Sequence, residues 1–97
     1  MNNKIKDAIN NKAVLTFNYH GFPRTVEPHT YGIDTKGHIA LSAYQTHGRS
    51  EGGKMPPWRL FHENDIIYLN VTKVKFSSAR QGYVRDDPAF STIYAQI

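Results

Sequence analysis

The chain has 97 residues and a mass of 11.1 kDa, which fits one domain and leaves no room for two. Apolar residues make up 39% of the chain and aromatic residues 12%, enough for a small core and too many for a disordered chain. The absence of cysteine excludes disulfide scaffolds, thiolate zinc sites and thiol nucleophiles. No apolar run reaches the roughly 18–20 residues of a membrane helix, and the N-terminal segment lacks the apolar centre of a secretory signal. We therefore expect a cytoplasmic protein with no membrane contact.

The charge of the chain is mildly basic. The net charge is +4 with histidine neutral, and the isoelectric point is near 9.5, as in many domains that bind nucleic acid. Positive charge is concentrated in the middle of the sequence, where the charged residues are Lys36, Arg49, Glu51, Lys54 and Arg59. This potential would steer an anion toward that part of the molecule.

The N-terminal segment predicts a short helix over residues 3–11. Its apolar residues recur at helical spacing from Ile5 to Ile9, and Asn2 or Asn3 can cap its first turn. A strand is predicted next, because apolar and polar residues alternate over residues 14–19.

Two further strands follow, joined by a hairpin. Residues 24–33 predict a strand that is interrupted at Pro28, which must lie on an edge or in a bulge because proline donates no backbone hydrogen bond. Residues 34–37, with the sequence Asp-Thr-Lys-Gly, predict a hairpin turn. The alternation over residues 39–44 predicts the third strand.

The second half of the chain predicts two more strands and a second helix. Residues 46–57 contain three Gly and two Pro and predict a mobile surface loop. Strands are predicted at 58–61 and 67–76, and the helical spacing of apolar residues after Pro88 predicts a short C-terminal helix. About five short strands with tight turns indicate a mainly β domain, either a small twisted sheet or a partly closed barrel.

Known catalytic and metal-binding motifs do not account for this sequence. Residues 48–54 match most of a phosphate-binding loop, but Met55 stands where a magnesium-binding Ser or Thr is needed. No group of residues supplies a base, a nucleophile and an oxyanion site, so we do not expect an enzyme. The histidines do not have the short spacing of a zinc site, so we expect solvated side chains and no metal ion or cofactor. They are His20, His29, His38, His47 and His62.

Basic and aromatic residues are interleaved on the predicted strands and the loop between them. Bases stack on exposed aromatic rings, and arginine binds phosphate in a bidentate manner, so the mixture is typical of small domains that bind nucleotides. The alternative is that Tyr19 and Trp58 belong to the core and that the arginines are ordinary surface residues. The set consists of Tyr19, Arg24, Tyr44, Arg49, Trp58 and Arg59.

The order of these motifs resembles the WYL domain family over residues 5–76, and the tail of 77–97 resembles the extension of short members. The sequence departs from the family at the tripeptide that gives it its name, since residues 39–41 are Ile-Ala-Leu. The motifs are, in chain order, Leu15-x-Phe17-x-Tyr19, Arg24-x-Val26-Glu27-Pro28, Tyr31-Gly32, Leu41-Ser42-Ala43-Tyr44-Gln45, Gly48-x-Ser50, Trp58-Arg59-Leu60-Phe61, Asp65-Ile66 and Arg80-x-x-Tyr83.

The resemblance implies a five-stranded barrel of the SH3-like or Sm-like kind that spans residues 1–97 as one domain. It also implies a regulatory module that binds a nucleotide, an oligonucleotide or single-stranded nucleic acid, in bacterial transcription regulation, phage defence or counter-defence. Arg24 and Arg59 would contact phosphate, and Tyr44 would stack on a base or donate a hydrogen bond. The full set of implied ligand-binding residues is Tyr19, Arg24, Tyr44, Arg49, Ser50, Trp58 and Arg59.

A second interpretation is a structural or oligomerisation module that pairs through its sheet edges and binds no small ligand. A homodimer is compatible with both interpretations. A ligand-binding module should lose affinity as the salt concentration rises, whereas an oligomerisation module should show a mass that depends on protein concentration.

Overall fold

A computed structural model describes residues 1–48 and 57–97 of the chain. The protein is mainly β, as the sequence predicts, with one α-helix and six strands in these residues. In chain order the elements are α1 (Asn3–Asn10), β1 (Ala13–Tyr19), β2 (Phe22–Asp34), β3 (Ile39–Gly48), β4 (Trp58–His62), a 3-10 turn (Glu63–Asp65), β5 (Ile66–Lys75) and β6 (Phe90–Gln96).

Helix α1 is held at its first turn by the predicted cap. The Oδ1 atom of Asn2 accepts hydrogen bonds from the backbone N–H groups of Lys4 and Ile5, which would otherwise have no partner within the helix. One face of the helix, carrying Ile5 and Ile9, is buried in the core. The backbone N–H of Asn2 also donates to the hydroxyl of Tyr31 at 2.7 Å, which fixes the helix to β2.

The strands form one open antiparallel sheet centred on β2, in the order β4-β3-β2-β1-β5. The first half of β2 pairs with β1, and the second half, from Thr30 onward, pairs with β6. A register shift beside Pro28 marks the predicted bulge, which lets a proline lie in a central strand. Of the two predicted forms, the structure shows the twisted sheet. The five-stranded barrel that the family resemblance implies is not formed, because the open sheet has six strands and β4 and β5 stand at opposite ends of the strand order.

The open sheet nevertheless curls strongly, because a short connection joins its two edges. Only the 3-10 turn of residues 63–65 separates β4 from β5, a path of at most about 14 Å between the Cα atoms of His62 and Ile66. In a flat sheet these strands would lie about 19 Å apart, at roughly 4.8 Å for each of four spacings. The hydroxyl of Tyr19 accepts a hydrogen bond from the backbone N–H of His62 at 3.0 Å across this corner.

The C-terminal segment forms a strand where the sequence predicts a helix. The positions of Ile93 and Tyr94 fit the periodicity of a helix as well as that of a strand. The second half of β2, however, has a free edge beyond the end of β1, and β6 pairs with that edge. Asp87 does act as an N-terminal cap would, since its Oδ1 accepts from the N–H of Ala89 at 2.9 Å. That bond shapes a turn before the strand, and no helix follows it.

Two smaller boundaries also differ from the sequence prediction. Strand β3 continues to Gly48, so Thr46 and His47 belong to the sheet and not to the predicted loop. The remainder of that loop, residues 49–56, lies outside the described residues. No described helix is long and apolar enough to cross a lipid bilayer.

The core lies on the concave side of the sheet and is closed by α1. Its centre is an aromatic cluster in which the Phe61 ring meets Phe17 at 5.0 Å and Tyr19 at 4.9 Å between centroids, both edge to face. The alternation of β1 places Val14 and Thr16 on the opposite, outer face. The candidate site lies on that outer face.

Candidate ligand groove

A groove of about 860 Å³ crosses the outer face of the sheet, within the size range of small-molecule sites. Its floor is formed by β1, β2, β3 and β5, and one wall is formed by the segment that follows β5. The floor residues are Val14, Thr16, Thr25, Glu27, Thr46, His47, Thr72, Val74 and Lys75, and the wall residues are Phe76, Ser77, Ser78 and Arg80. The lining is rich in hydroxyl groups and carries more positive than negative charge, so it suits a polar, anionic ligand.

An ion pair fixes the wall of the groove to its floor. The guanidinium of Arg80 donates to the buried carboxylate of Glu27 through Nε at 2.7 Å and through Nη2 at 3.0 Å. The hydrogen bond from Glu27 raises the pKa of Arg80 above its already high ordinary value. Arg80 therefore reaches the carboxylate of Glu27 from 53 residues away in the sequence.

The same guanidinium lies on an aromatic ring at the groove margin. The Cζ atom of Arg80 is 4.5 Å from the centroid of Tyr44, close enough for a cation–π interaction. Tyr44 meets Trp58 edge to face at 5.6 Å, and the indole Nε1 of Trp58 donates to the carbonyl of Gln81 at 2.9 Å. Two of the predicted residues, Tyr44 and Trp58, therefore stand together, with Arg80 beside them.

His29 lies buried under this aromatic group. Its Nδ1–H donates to the carbonyl of Glu27 at 2.8 Å, and its Nε2 accepts from the backbone N–H of Arg80 at 3.1 Å. The ring packs against Trp58 at 4.7 Å and against Phe76 at 5.5 Å between centroids. Burial lowers the pKa of His29 below its ordinary value, which outweighs the opposing effect of Glu27. The neutral ring is the form that can accept from Arg80, so it holds the wall segment in place.

This burial predicts a pH dependence of stability. The folded state disfavours the protonated ring while the unfolded chain takes up a proton near pH 6.5, so unfolding should become easier as the pH falls below about 6.5. The slope should approach at most about 1.4 kcal/mol per pH unit for one proton. Urea unfolding from pH 7.5 to 5 should show this slope in the parent chain and in His47→Gln, an exposed control, and a smaller slope in His29→Gln. An equal slope in all three proteins would contradict the assignment.

Tyr19 and Arg24 lie on the opposite side of the sheet from the groove. Tyr19 is buried in the core. Arg24 is 2% exposed, and its guanidinium donates to the carbonyl of Tyr19 at 3.0 Å, to the Oε1 atom of Gln45 at 3.3 Å and to the carbonyl of Phe22 at 3.3 Å. These contacts stabilise the turn between β1 and β2. The predicted contact of Arg24 with phosphate stays a prediction.

The remaining predicted residues belong to β4 and the segment before it. Arg59 is half-buried, with its Cζ atom 5.9 Å from the centroid of Phe61. It pairs with the buried Ala43, so it lies on the core face of the sheet and away from Tyr44. Arg49 and Ser50 lie outside the described residues. The structure thus separates the described members of the predicted set into an outer pair, Tyr44 and Trp58, and an inner group around Phe61, which consists of Tyr19, Arg24 and Arg59.

Sequence reasoning missed most of the groove. Threonine is common on strand faces, so its presence there does not indicate a site. Arg80 was named only as part of the Arg80-x-x-Tyr83 motif of the family resemblance. It also missed a cluster of Asp34, His38 and His62 at the other end of β2. A comparison with protein-family models, with curated proteins and with solved structures found no match.

Proposed function

We propose that the protein is a regulatory ligand-binding module of the WYL type and that its ligand is a nucleotide or a short single-stranded nucleic acid. The observation that carries the proposal is the arginine that lies on Tyr44 at 4.5 Å beside a hydroxyl-rich groove of about 860 Å³. The strand order, the N-terminal helix and the strong curl support an Sm-like relationship. Bacterial transcription regulation, phage defence or counter-defence would be its setting.

The charges on the groove suit a phosphate. The Nη1 edge of the Arg80 guanidinium makes no hydrogen bond within residues 1–48 and 57–97, because Glu27 uses Nε and Nη2. Lys75 lies on the same floor, although its ammonium donates to the carbonyl of Asn11 at 3.3 Å, and His47 is exposed there. A phosphate at this margin would gain a charge-assisted hydrogen bond from Nη1 without breaking the pair with Glu27.

The aromatic groups suit a base. Stacking on an aromatic ring contributes about 1–3 kcal/mol per base, and Tyr44 is half-buried at the groove margin with Trp58 at its edge. The side chains of Thr16 and Thr25 line the same space, and their hydroxyl groups can donate to or accept from sugar and base edges. The ligand would thus place phosphate near Arg80 and base near Tyr44.

The proposal predicts that Tyr44→Leu weakens nucleotide binding while the fold is kept. Loss of one stacking contact of about 1–3 kcal/mol corresponds to roughly 5- to 150-fold in Kd. The measurement is a thermal-shift screen at low salt with mono-, di- and cyclic oligonucleotides and with short single-stranded DNA and RNA, followed by titration of the best ligand. Arg80→Ala should weaken binding as well, and the affinity should fall as salt rises.

The matched control is Arg85→Ala, which removes an equal charge from the same segment outside the groove lining. Arg80→Ala also leaves the buried Glu27 without its partner and can lower stability. The ligand affinity of this variant is therefore compared with that of the parent chain at a temperature at which the melting curve shows the variant to be folded. Tyr44→Leu keeps the Glu27–Arg80 pair and separates binding from stability. Absence of a shift with every ligand, or equal affinity in Tyr44→Leu and the parent chain, would contradict the groove as the nucleotide site.

A second candidate function is an oligomerisation module, and the outer edge of β5 favours it. The strand stands at the end of the sheet order and exposes Ile67, Tyr68, Val71 and Val74. Unpaired backbone groups next to apolar side chains can pair with another chain. Sedimentation measured in parallel with the ligand screen distinguishes the two candidates, since a mass that rises with concentration and no ligand shift would favour self-association.

A further inference from the structure

A cluster of metal-ligating side chains lies at the far end of β2, away from the groove. Asp34 ends β2, His38 follows the hairpin turn to β3, and His62 ends β4. One ligand atom from each of the three lies within 4.8 Å of the others. The residues are separated by up to 28 positions in the sequence, so no motif spacing reveals them.

The carboxylate of Asp34 is oriented by the turn that it forms. Its Oδ1 atom accepts from the backbone N–H groups of Lys36 at 3.0 Å and His38 at 2.8 Å. These bonds lower the pKa of Asp34, the one from His38 most, so the carboxylate is ionised at neutral pH. Oδ2 is left to face the imidazole of His38. A metal-binding carboxylate is commonly held by such backbone donors on its second oxygen.

The distance between Asp34 and His38 is compatible with two ligands on a shared metal ion. Oδ2 lies 3.4 Å from Nδ1 of His38, beyond the usual 2.7–3.2 Å of a hydrogen bond. Two ligands that are each about 2.0–2.1 Å from a tetrahedral metal ion lie about 3.3–3.4 Å apart. The pair therefore already has the spacing of two ligands on one ion.

His62 completes the group from the neighbouring strand. Its ring stacks on that of His38 with centroids 4.4 Å apart, and its backbone N–H is held by the hydroxyl of Tyr19. The two side chains must rotate out of this stacked arrangement to direct one nitrogen each at a common ion. A cavity of about 350 Å³ next to both rings, which also touches Asn64 and Asp65, leaves room for water as a further ligand.

We propose that Asp34, His38 and His62 bind a divalent transition-metal ion, with zinc as the best match to two nitrogen ligands and one oxygen ligand. Three protein ligands leave a fourth position open to water or to an anion. The ion would connect the β2–β3 turn to the end of β4 and so lock the curled corner of the sheet. This proposal is independent of the nucleotide groove.

The test is titration of the metal-free chain with Co²⁺ and Zn²⁺ in a buffer without phosphate. Co²⁺ should give the visible absorption of a four- or five-coordinate site and should be displaced by Zn²⁺, and Zn²⁺ at about 100 times its Kd should raise Tm by at least about 10 °C. His38→Gln and His62→Gln should each weaken Zn²⁺ binding at least about 10- to 100-fold. Asp34→Asn keeps an oxygen acceptor for the turn and should weaken binding as well.

The control variants are His47→Gln and His20→Gln, which remove exposed histidines outside the cluster. They should leave Zn²⁺ affinity within about twofold of the parent value. The proposal is overturned if Co²⁺ keeps the spectrum of the hexa-aquo ion, if Zn²⁺ does not raise Tm, or if the control variants lose as much affinity as His38→Gln.

Discussion

Replacement of Phe61 with alanine should lower the free energy of unfolding by about 3–5 kcal/mol. Phe61 is fully buried and touches Phe17 and Tyr19 edge to face, so its removal deletes the centre of the aromatic core and leaves a cavity. The guanidinium of Arg24, with its Cζ atom 5.8 Å from the ring centroid, would also lose part of its packing. A domain of this size is stable by only about 5–15 kcal/mol, so the loss is a large fraction of the total.

Urea unfolding followed by fluorescence measures this loss directly, because Trp58 is the only tryptophan in the chain. Leu60→Ala is the matched control, since Leu60 precedes Phe61 in the same strand and its side chain is exposed. That control should lose less than about 1 kcal/mol. Similar losses in both variants would mean that the strand, and not the aromatic core, determines the effect.

Replacement of Gly32 with alanine should detach β6 from the sheet. A Cβ atom at Gly32 would overlap the backbone carbonyl oxygen of Thr92 and press on the Cα of Ile93. Backbone atoms cannot move aside as a flexible side chain can, so β6 must shift away or leave. We expect a loss of at least about 1–3 kcal/mol in unfolding free energy, and loss of hydrogen-exchange protection in residues 90–96 before protection is lost in β1.

Gly37→Ala distinguishes this clash from a general effect of glycine. Gly37 has a φ of +88°, and a Cβ there would meet nothing within 4 Å. That variant should cost about 1–2 kcal/mol through its left-handed backbone and should keep β6 protected. Equal hydrogen-exchange protection of residues 90–96 in Gly32→Ala and in the parent chain would contradict the close approach of β2 and β6 at Gly32.

The first three strands follow from the sequence because local rules and the fold agree there. Leu15, Phe17 and Tyr19 alternate with polar residues and all point into the core. Asn2 caps the helix, and Pro28 marks a bulge because it cannot donate to a neighbouring strand. In each case the residues that determine the local structure lie within that structure or next to it, so the sequence of one short segment is enough to predict it.

The C-terminal strand could not be read in this way. Phe90, Ile93 and Tyr94 fit a helix as well as a strand, and the choice depends on the free edge of β2 about sixty residues earlier. The sequence of residues 90–96 alone does not show that such an edge is available. The expected number of five strands is wrong for the same reason, since the sixth strand exists only through this pairing.

The sites depend on contacts at long range, and the sequence indicated only parts of them. Tyr44 and Trp58 were predicted because aromatic residues occur near basic ones in the sequence, but the cation that lies on Tyr44 is Arg80 from the tail. The partner of Glu27 is Arg80, 53 residues away, and no local pattern indicates that pair. His38 and His62 look unrelated in the sequence because their approach depends on the pairing of β3 with β4.

The sharing of one edge of β2 between β1 and β6 has a consequence for synthesis on the ribosome. Residues 30–34 of β2 can pair with β3 early, but their other edge stays open until residues 90–96 emerge. Pairing of strands so far apart in the sequence is slow because the loop must close first. During this interval the nascent chain presents an unpaired strand edge to neighbouring chains, so low expression temperature or dilute refolding should improve the yield of monomer.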